Sequence, residues 1–144
     1  MENRNKAILI RKEVIDTTLA NESVLGKRLL SPLKSLSAEH GVPFNILEDK
    51  EVSNDAEVHM HEADLWQCLE GKVTFIYEGE MVEPWFGKYA DGSEDKNEIK
   101  AKEIRGGKEE VLYPGDWLFI PAGVPHQHVC EGTARLVIVK IPKI

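Results

Sequence analysis

The sequence predicts an all-β domain, an antiparallel sandwich or closed barrel, and three observations carry that expectation. From Phe44 onward eight short β-rich runs recur: Phe44–Leu47, Glu57–His61, Leu65–Leu69, Lys72–Tyr77, Glu109–Tyr113, Trp117–Ile120, His126–Cys130 and Ala134–Ile141. Turn residues such as Gly71 and Pro121-Ala122-Gly123 separate them. The length, 144 residues, suits one domain that can bury its apolar surface without disulfides.

Residues 1–40 read as a mixed N-terminal arm that could contact the second copy of a dimer. Within it Lys6–Ile10 reads as a short strand. Ser31–Glu39 reads as a helix with Ser31 as cap and Pro32 at its first position, stopped by Gly41-Val42-Pro43. Residues 41–144 form the barrel. Between Glu83 and Gly107 the alternation lapses into a polar stretch, expected to be a long loop or inserted hairpin decorating the surface. Asp91–Asn97 has the acidic character of a calcium loop, but Gly92 is misplaced and no flanking helices fit, so it is expected to be a solvated loop.

Charge and cysteine content exclude several classes. The formal net charge of -7 and the absence of a basic stripe disfavour nucleic acid. No apolar run is long enough for a transmembrane helix, so no membrane association is expected. The first residues lack the apolar core of a signal peptide, which predicts a cytoplasmic protein. Cys68 and Cys130 are the only cysteines and make no CxxC pair, which argues against a four-cysteine zinc site.

The histidines are the informative residues. Four of the five stand as two pairs, His59/His61 and His126/His128. Residues two apart on a strand share a face, so each pair offers two imidazoles to one side of a sheet. If both pairs face inward, four rings converge. One His-x-His pair on a surface strand means little; two pairs in one domain point to a divalent metal. Asp64 follows His61 closely and opens the next strand, as either a carboxylate ligand or a turn residue.

These residues resemble the cupin superfamily. Its first motif, G-x5-H-x-H-x(3,4)-E-x6-G, is approximated by His59-Met60-His61, Asp64 and Gly71. Its second, G-x5-P-x-G-x2-H-x3-N, is matched by Gly115, Pro121, Gly123 and His126 at the required spacing, with Cys130 in place of Asn. In the first motif Ser53 stands where Gly is wanted, Asp64 replaces Glu, and only two residues separate it from His61. The resemblance implies a double-stranded β-helix, the jelly-roll cupin barrel. It also implies one divalent ion (Fe2+, Mn2+, Zn2+ or Ni2+) held by His59, His61 and His126, with a carboxylate from Asp64.

Alternation supplies the neighbours. His128 and Cys130 share a face with His126; Trp66 and Cys68 share a face with Asp64. His128 is the candidate catalytic acid/base or polar recognition residue. Trp66, Cys68 and Cys130 are candidates for the substrate pocket, although both cysteines also suit a role as small buried hydrophobes. The expected function is a metal-dependent enzyme acting on a small polar molecule by dioxygenase-type or lyase/isomerase chemistry. The alternative is a non-enzymatic cupin that binds or senses a small ligand. A homodimer is expected.

Overall fold

A computed structural model describes residues 6–143 of the chain. In order, the elements are α1 (Lys12–Leu19), β1 (Gly26–Leu29), α2 (Leu33–His40), β2 (Phe44–Ser53), β3 (Ala56–His59), β4 (Glu62–Glu70), β5 (Val73–Tyr77), β6 (Glu80–Met81), β7 (Trp85–Lys88), β8 (Glu94–Ala101), β9 (Ile104–Arg105), β10 (Lys108–Leu112), β11 (Trp117–Ile120) and β12 (His126–Pro142). The fold is the all-β jelly roll of the cupins. All pairings are antiparallel, and the long strand β12 borders β2, β3, β4 and β5 in turn. The last two runs read from the sequence are therefore one strand, broken in register by a bulge between Cys130 and Thr133.

Strand alternation builds the core. Trp66 and Cys68 from β4, Val73 and Phe75 from β5, and Cys130, Leu136 and Ile138 from β12 all point inward and are buried together. Gly71 closes the β4–β5 turn with φ +71°. A Cβ there would lie 2.1 Å from the Thr133 carbonyl oxygen, so the turn and β12 pack together only because this residue is glycine.

The arm differs from expectation. Residues 6–10 form no strand. Val14, Ile15 and Leu19 of α1 instead pack with Ile10 on Leu30, Leu33 and Ile46, covering the outer face of β2. Ser31 does not cap α2. The helix begins at Leu33, and its first N–H is received by the Thr18 hydroxyl from the neighbouring helix at 3.2 Å. Gly41 ends it in the left-handed conformation at φ 67°. Arg135 of β12 fastens the arm by donating to the Leu19 and Asn21 carbonyls, with its charge held by Glu48 at 2.7 Å.

The polar stretch is a hairpin, β7 and β8, closed at its base by the short β6–β9 ladder. It is more than decoration. β8 pairs with β3 in a register that sets Glu98 opposite His59, extending the sheet beside the strand that carries the first histidine.

Candidate metal centre

Three strands deliver four donors to one end of the barrel. β3 supplies Glu57 and His59, β4 supplies Asp64, and β12 supplies His126. His59 Nε2 and His126 Nε2 lie 3.5 and 3.4 Å from the same oxygen, Asp64 Oδ2. The two rings are 5.0 Å apart, centre to centre. Glu57 Oε2 is 3.5 Å from His59 Nε2, and one donor atom each from Glu57, His59 and His126 fall within 4.8 Å of one another.

The far nitrogen of each ring decides its tautomer. His59 Nδ1 lies 2.7 Å from Glu98, and His126 Nδ1 donates to the Val124 carbonyl at 3.1 Å. With the protons on Nδ1, both Nε2 lone pairs face Asp64. Three acceptors thus confront one another with no hydrogen between them, and Asp64 Oδ2 is buried without a hydrogen-bond partner. At 3.4 to 3.5 Å these contacts are too long for hydrogen bonds. They are close to the spacing of adjacent ligands about 2.1 Å from a shared ion. Two imidazoles and a carboxylate are also a donor set suited to a divalent transition metal. The residues therefore fit a metal.

Burial pushes the Asp64 carboxyl up, but the Lys140 ammonium on its other oxygen opposes this and keeps the group below the usual carboxylate range. Lys140 Nζ occupies only Asp64 Oδ1, at 2.7 Å. Burial likewise works against ionised Glu57, and the positive charges of Lys27 and Lys100 still keep it below the usual carboxylate range.

Not every expected residue joins this group. His61 lies past the end of β3, where the chain bends, and its side chain is exposed in a shallow depression beside Glu62 and Asn97. Because β3 stops at His59, the two-residue parity cannot carry His61 inward. The first cupin motif instead registers two residues earlier. Glu57-Val58-His59 occupies its H-x-H, four residues lead to Asp64, and six more lead to Gly71. The short spacing before Asp64 disappears. The motif glycine then falls on Glu51, which adopts φ +53°, as a glycine position requires. Nothing but this alternative register signalled Glu57 in the sequence.

His128 lies beside the centre and lines its cavity. Its Nδ1 is 2.6 Å from Asp49 Oδ2, its Nε2 is 2.7 Å from Asn54 Nδ2, and its ring stacks on Phe75 at 5.4 Å with Trp66 at 5.5 Å. Trp66 also lines the cavity. Cys68 and Cys130, expected beside the substrate, are instead a layer deeper. They belong to the hydrophobic core, donate to backbone carbonyls, and have thiols pushed up by burial. Alternation carried them inward, but their distance along the strands takes them below the cavity.

The cavity holds about 210 Å³. Leu29, Leu47, Trp66 and Ile138 form apolar walls, the four donors form one end, and Lys27 and Lys140 add positive charge. Glu98, Lys27 and Lys140 had no signal in the sequence, because they come from an insertion, the arm and the last strand.

The family described as the JmjC domain matches residues 48–141, most of the barrel and all four donors. The chain belongs to the JmjC domain family. Among solved structures, this JmjC domain is similar to BH2720 from Bacillus halodurans, with a TM-score of 0.52 and 16% identity over 99% of this chain and 86% of that one. It is also similar to Peruvianin-I, described as a cysteine peptidase from Thevetia peruviana latex, with a TM-score of 0.52 and 13% identity over 98% and 86%. Cobalt HppE in complex with Tris buffer matches at a TM-score of 0.42 and 18% identity, over 68% of this chain. The JmjC domain spans 44% of the cobalt HppE chain and 50% of an oxalate oxidase. The two matches at a TM-score of 0.52 show a shared fold and nothing finer. No curated protein matches the chain. No helix among the described residues is long and apolar enough to cross a membrane.

Proposed function

We propose that this JmjC domain is a metal-dependent cupin enzyme acting on a small polar organic molecule by dioxygenase-type or lyase/isomerase chemistry. The observation that carries the reading is the buried, unpartnered Asp64 Oδ2 set between two imidazole Nε2 atoms. His59, Asp64 and His126 would hold the ion, and Glu57 would offer a fourth donor. Such an ion would supply Lewis-acid polarisation of a substrate oxygen, or oxygen chemistry if it were iron(II). Fe2+, Mn2+, Zn2+ and Ni2+ all suit these donors.

The rest of the site is the chain's own work. Glu98 and the Val124 carbonyl keep the two ligand rings in the tautomer that presents Nε2. Leu29, Leu47, Trp66 and Ile138 give the cavity apolar walls beside the donors. His128 holds its proton on Nδ1 against Asp49 and presents Nε2 to the Asn54 amide. Both nitrogens are thus engaged, and His128 meets a polar ligand group only where that ligand displaces the Asn54 amide.

Metal analysis of protein purified without chelator or affinity nickel tests the reading. About one ion per chain is expected, lost in His59→Ala and His126→Ala. Stoichiometric metal in both variants would contradict it. Oxygen uptake or product formation then separates the enzyme from a cupin that binds a ligand without turnover. The domain is also proposed to be a homodimer. Its arm is packed on its own barrel, whereas Trp117 and Phe119 on β11 are 57% and 54% exposed. A single species of 16.2 kDa in equilibrium sedimentation would refute pairing.

A further inference from the structure

The outer faces of the two sheets differ in what they offer water. In the sheet formed by β2, β4, β11 and the C-terminal half of β12, Trp66, Cys68, Leu136 and Ile138 point inward and belong to the core. The residues between them therefore point outward. The registers align these in two rows, Val137–Gln67–Trp117 and Val139–Leu65–Phe119, with Ile141 opposite Ala63 beyond them. Gln67 is the one polar side chain in either row. The outward rows of the opposite sheet, Gln127–Ile76–Glu109 and Val129–Thr74–Val111, mix polar and apolar groups, as a face that meets water does.

The chain covers only part of its apolar face. The N-terminal arm packs on Phe44, Ile46 and Leu69 through Val14, Ile15 and Leu19 of α1. Among the described residues, Leu65, Trp117, Phe119, Val137 and Val139 join neither this cluster nor the barrel core. Trp117 and Phe119 are more than half exposed, and Ile141 is exposed beside them. The two rings alone leave roughly 200 Å² open, judged from the surface an aromatic side chain can bury. With their aliphatic neighbours the patch reaches roughly 400 Å², close to the apolar share of one side of a standard interface, about 450 Å² in 800 Å². The patch also carries no charge of its own. At a net charge of -7 two copies of the chain repel over most of their surfaces, and an uncharged patch is where they approach at least cost. A two-fold axis lets one such patch satisfy itself.

We propose that the outer face of β4, β11 and the end of β12 is the surface on which two copies of this chain pair, face to face about a two-fold axis, with Trp117 and Phe119 as the anchors. This rests on the homodimer reading above and gives it a location. Asp64 and Lys140 stand on the inner side of the same strands, so the metal centre lies across the sheet from the partner.

Sedimentation equilibrium of the full chain over a range of concentrations tests the proposal. The variants are Trp117→Lys combined with Phe119→Lys, the milder Trp117→Gln, and Trp85→Lys as control. Trp85 is an exposed aromatic on β7, outside the face. The unmodified chain is expected at twice 16.2 kDa. The double lysine variant is expected to weaken pairing at least about thirtyfold and Trp117→Gln about tenfold, as loss of interface anchors predicts. Trp85→Lys is expected to leave pairing unchanged. A denaturant midpoint equal to that of the unmodified chain, at a dilution where both are monomers, checks that each variant folds. A monomer at every concentration overturns the homodimer and this proposal together. A dimer that the substitutions at 117 and 119 leave undiminished, or that Trp85→Lys separates, keeps the homodimer and overturns this face alone. A monomer that co-sediments with phosphatidylcholine vesicles overturns both in favour of a lipid surface.

Discussion

Two buried carboxylates on this barrel, Glu48 and Asp64, face opposite fates. Glu48 is on the outer face of β2, beneath the arm. It accepts hydrogen bonds from the Val24 N–H at 3.0 Å, Arg28 Nε at 3.2 Å and Arg135 Nε at 2.8 Å, so both oxygens are occupied. Asp64 is on the inner face of β4. One oxygen is occupied by Lys140, and the other meets only the lone pairs of His59 and His126. The two groups are equally buried, yet one network is closed and the other is open. A closed network is a fastening, here of the arm to β12. An open one has a position for a further positive charge.

The sharpest way to break the comparison is on the closed side. Arg135→Met leaves Glu48 charged and buried beside Arg28 alone, and should cost about 3 kcal/mol in denaturant unfolding. Metal uptake by the remaining folded protein should be unchanged. On the open side, Asp64→Ala should weaken metal binding more than about a hundredfold, beyond the range typical of residues behind the ligands. Its effect on unfolding of the metal-free protein should be smaller than that of Arg135→Met. Unchanged metal affinity in Asp64→Ala would make Asp64 a bystander. Glu98→Ala sharpens the contrast, since Glu98 touches only the far side of the His59 ring. A loss of roughly tenfold in metal affinity with an unaltered melting temperature is expected.

Acid titration of chelator-treated protein gives the smallest effect. Lys140 holds the Asp64 carboxyl below its ordinary value in the fold. A carboxyl depressed in the native state adds stability that is complete above its unfolded pKa of about 3.9. That contribution disappears as pH falls through the native value, so stability should decline below about pH 4. Asp64→Asn should flatten this part of the acid limb. Glu48, also depressed because its three donors outweigh its burial, should keep its share of the decline in that variant. An identical acid limb with and without Asp64 would contradict the assignment.

Much of the centre was legible because its second half is local. Gly115, Pro121, Gly123 and His126 lie within one turn-and-strand unit, and spacing along such a unit translates directly into geometry. The first half misled because a literal His-x-His attracts attention. Parity holds only while a strand continues, and β3 ends at His59. His61 therefore faces out, and the inward partner two residues from His59 is Glu57. The inserted segment looked like surface decoration because its residues are polar, but the register of β8 with β3 makes Glu98 a support for His59.

Taken by itself, the sequence determined that this chain is an all-β barrel with histidines suited to a metal, because strand alternation and turn chemistry act over a few residues. Tertiary structure decided which donors meet. It set Asp64 between His59 and His126, brought Glu98 from the insertion and Lys27 from the arm, and left both cysteines below the cavity. Those outcomes depend on strand ends and registers between segments far apart in the chain, which no local pattern encodes.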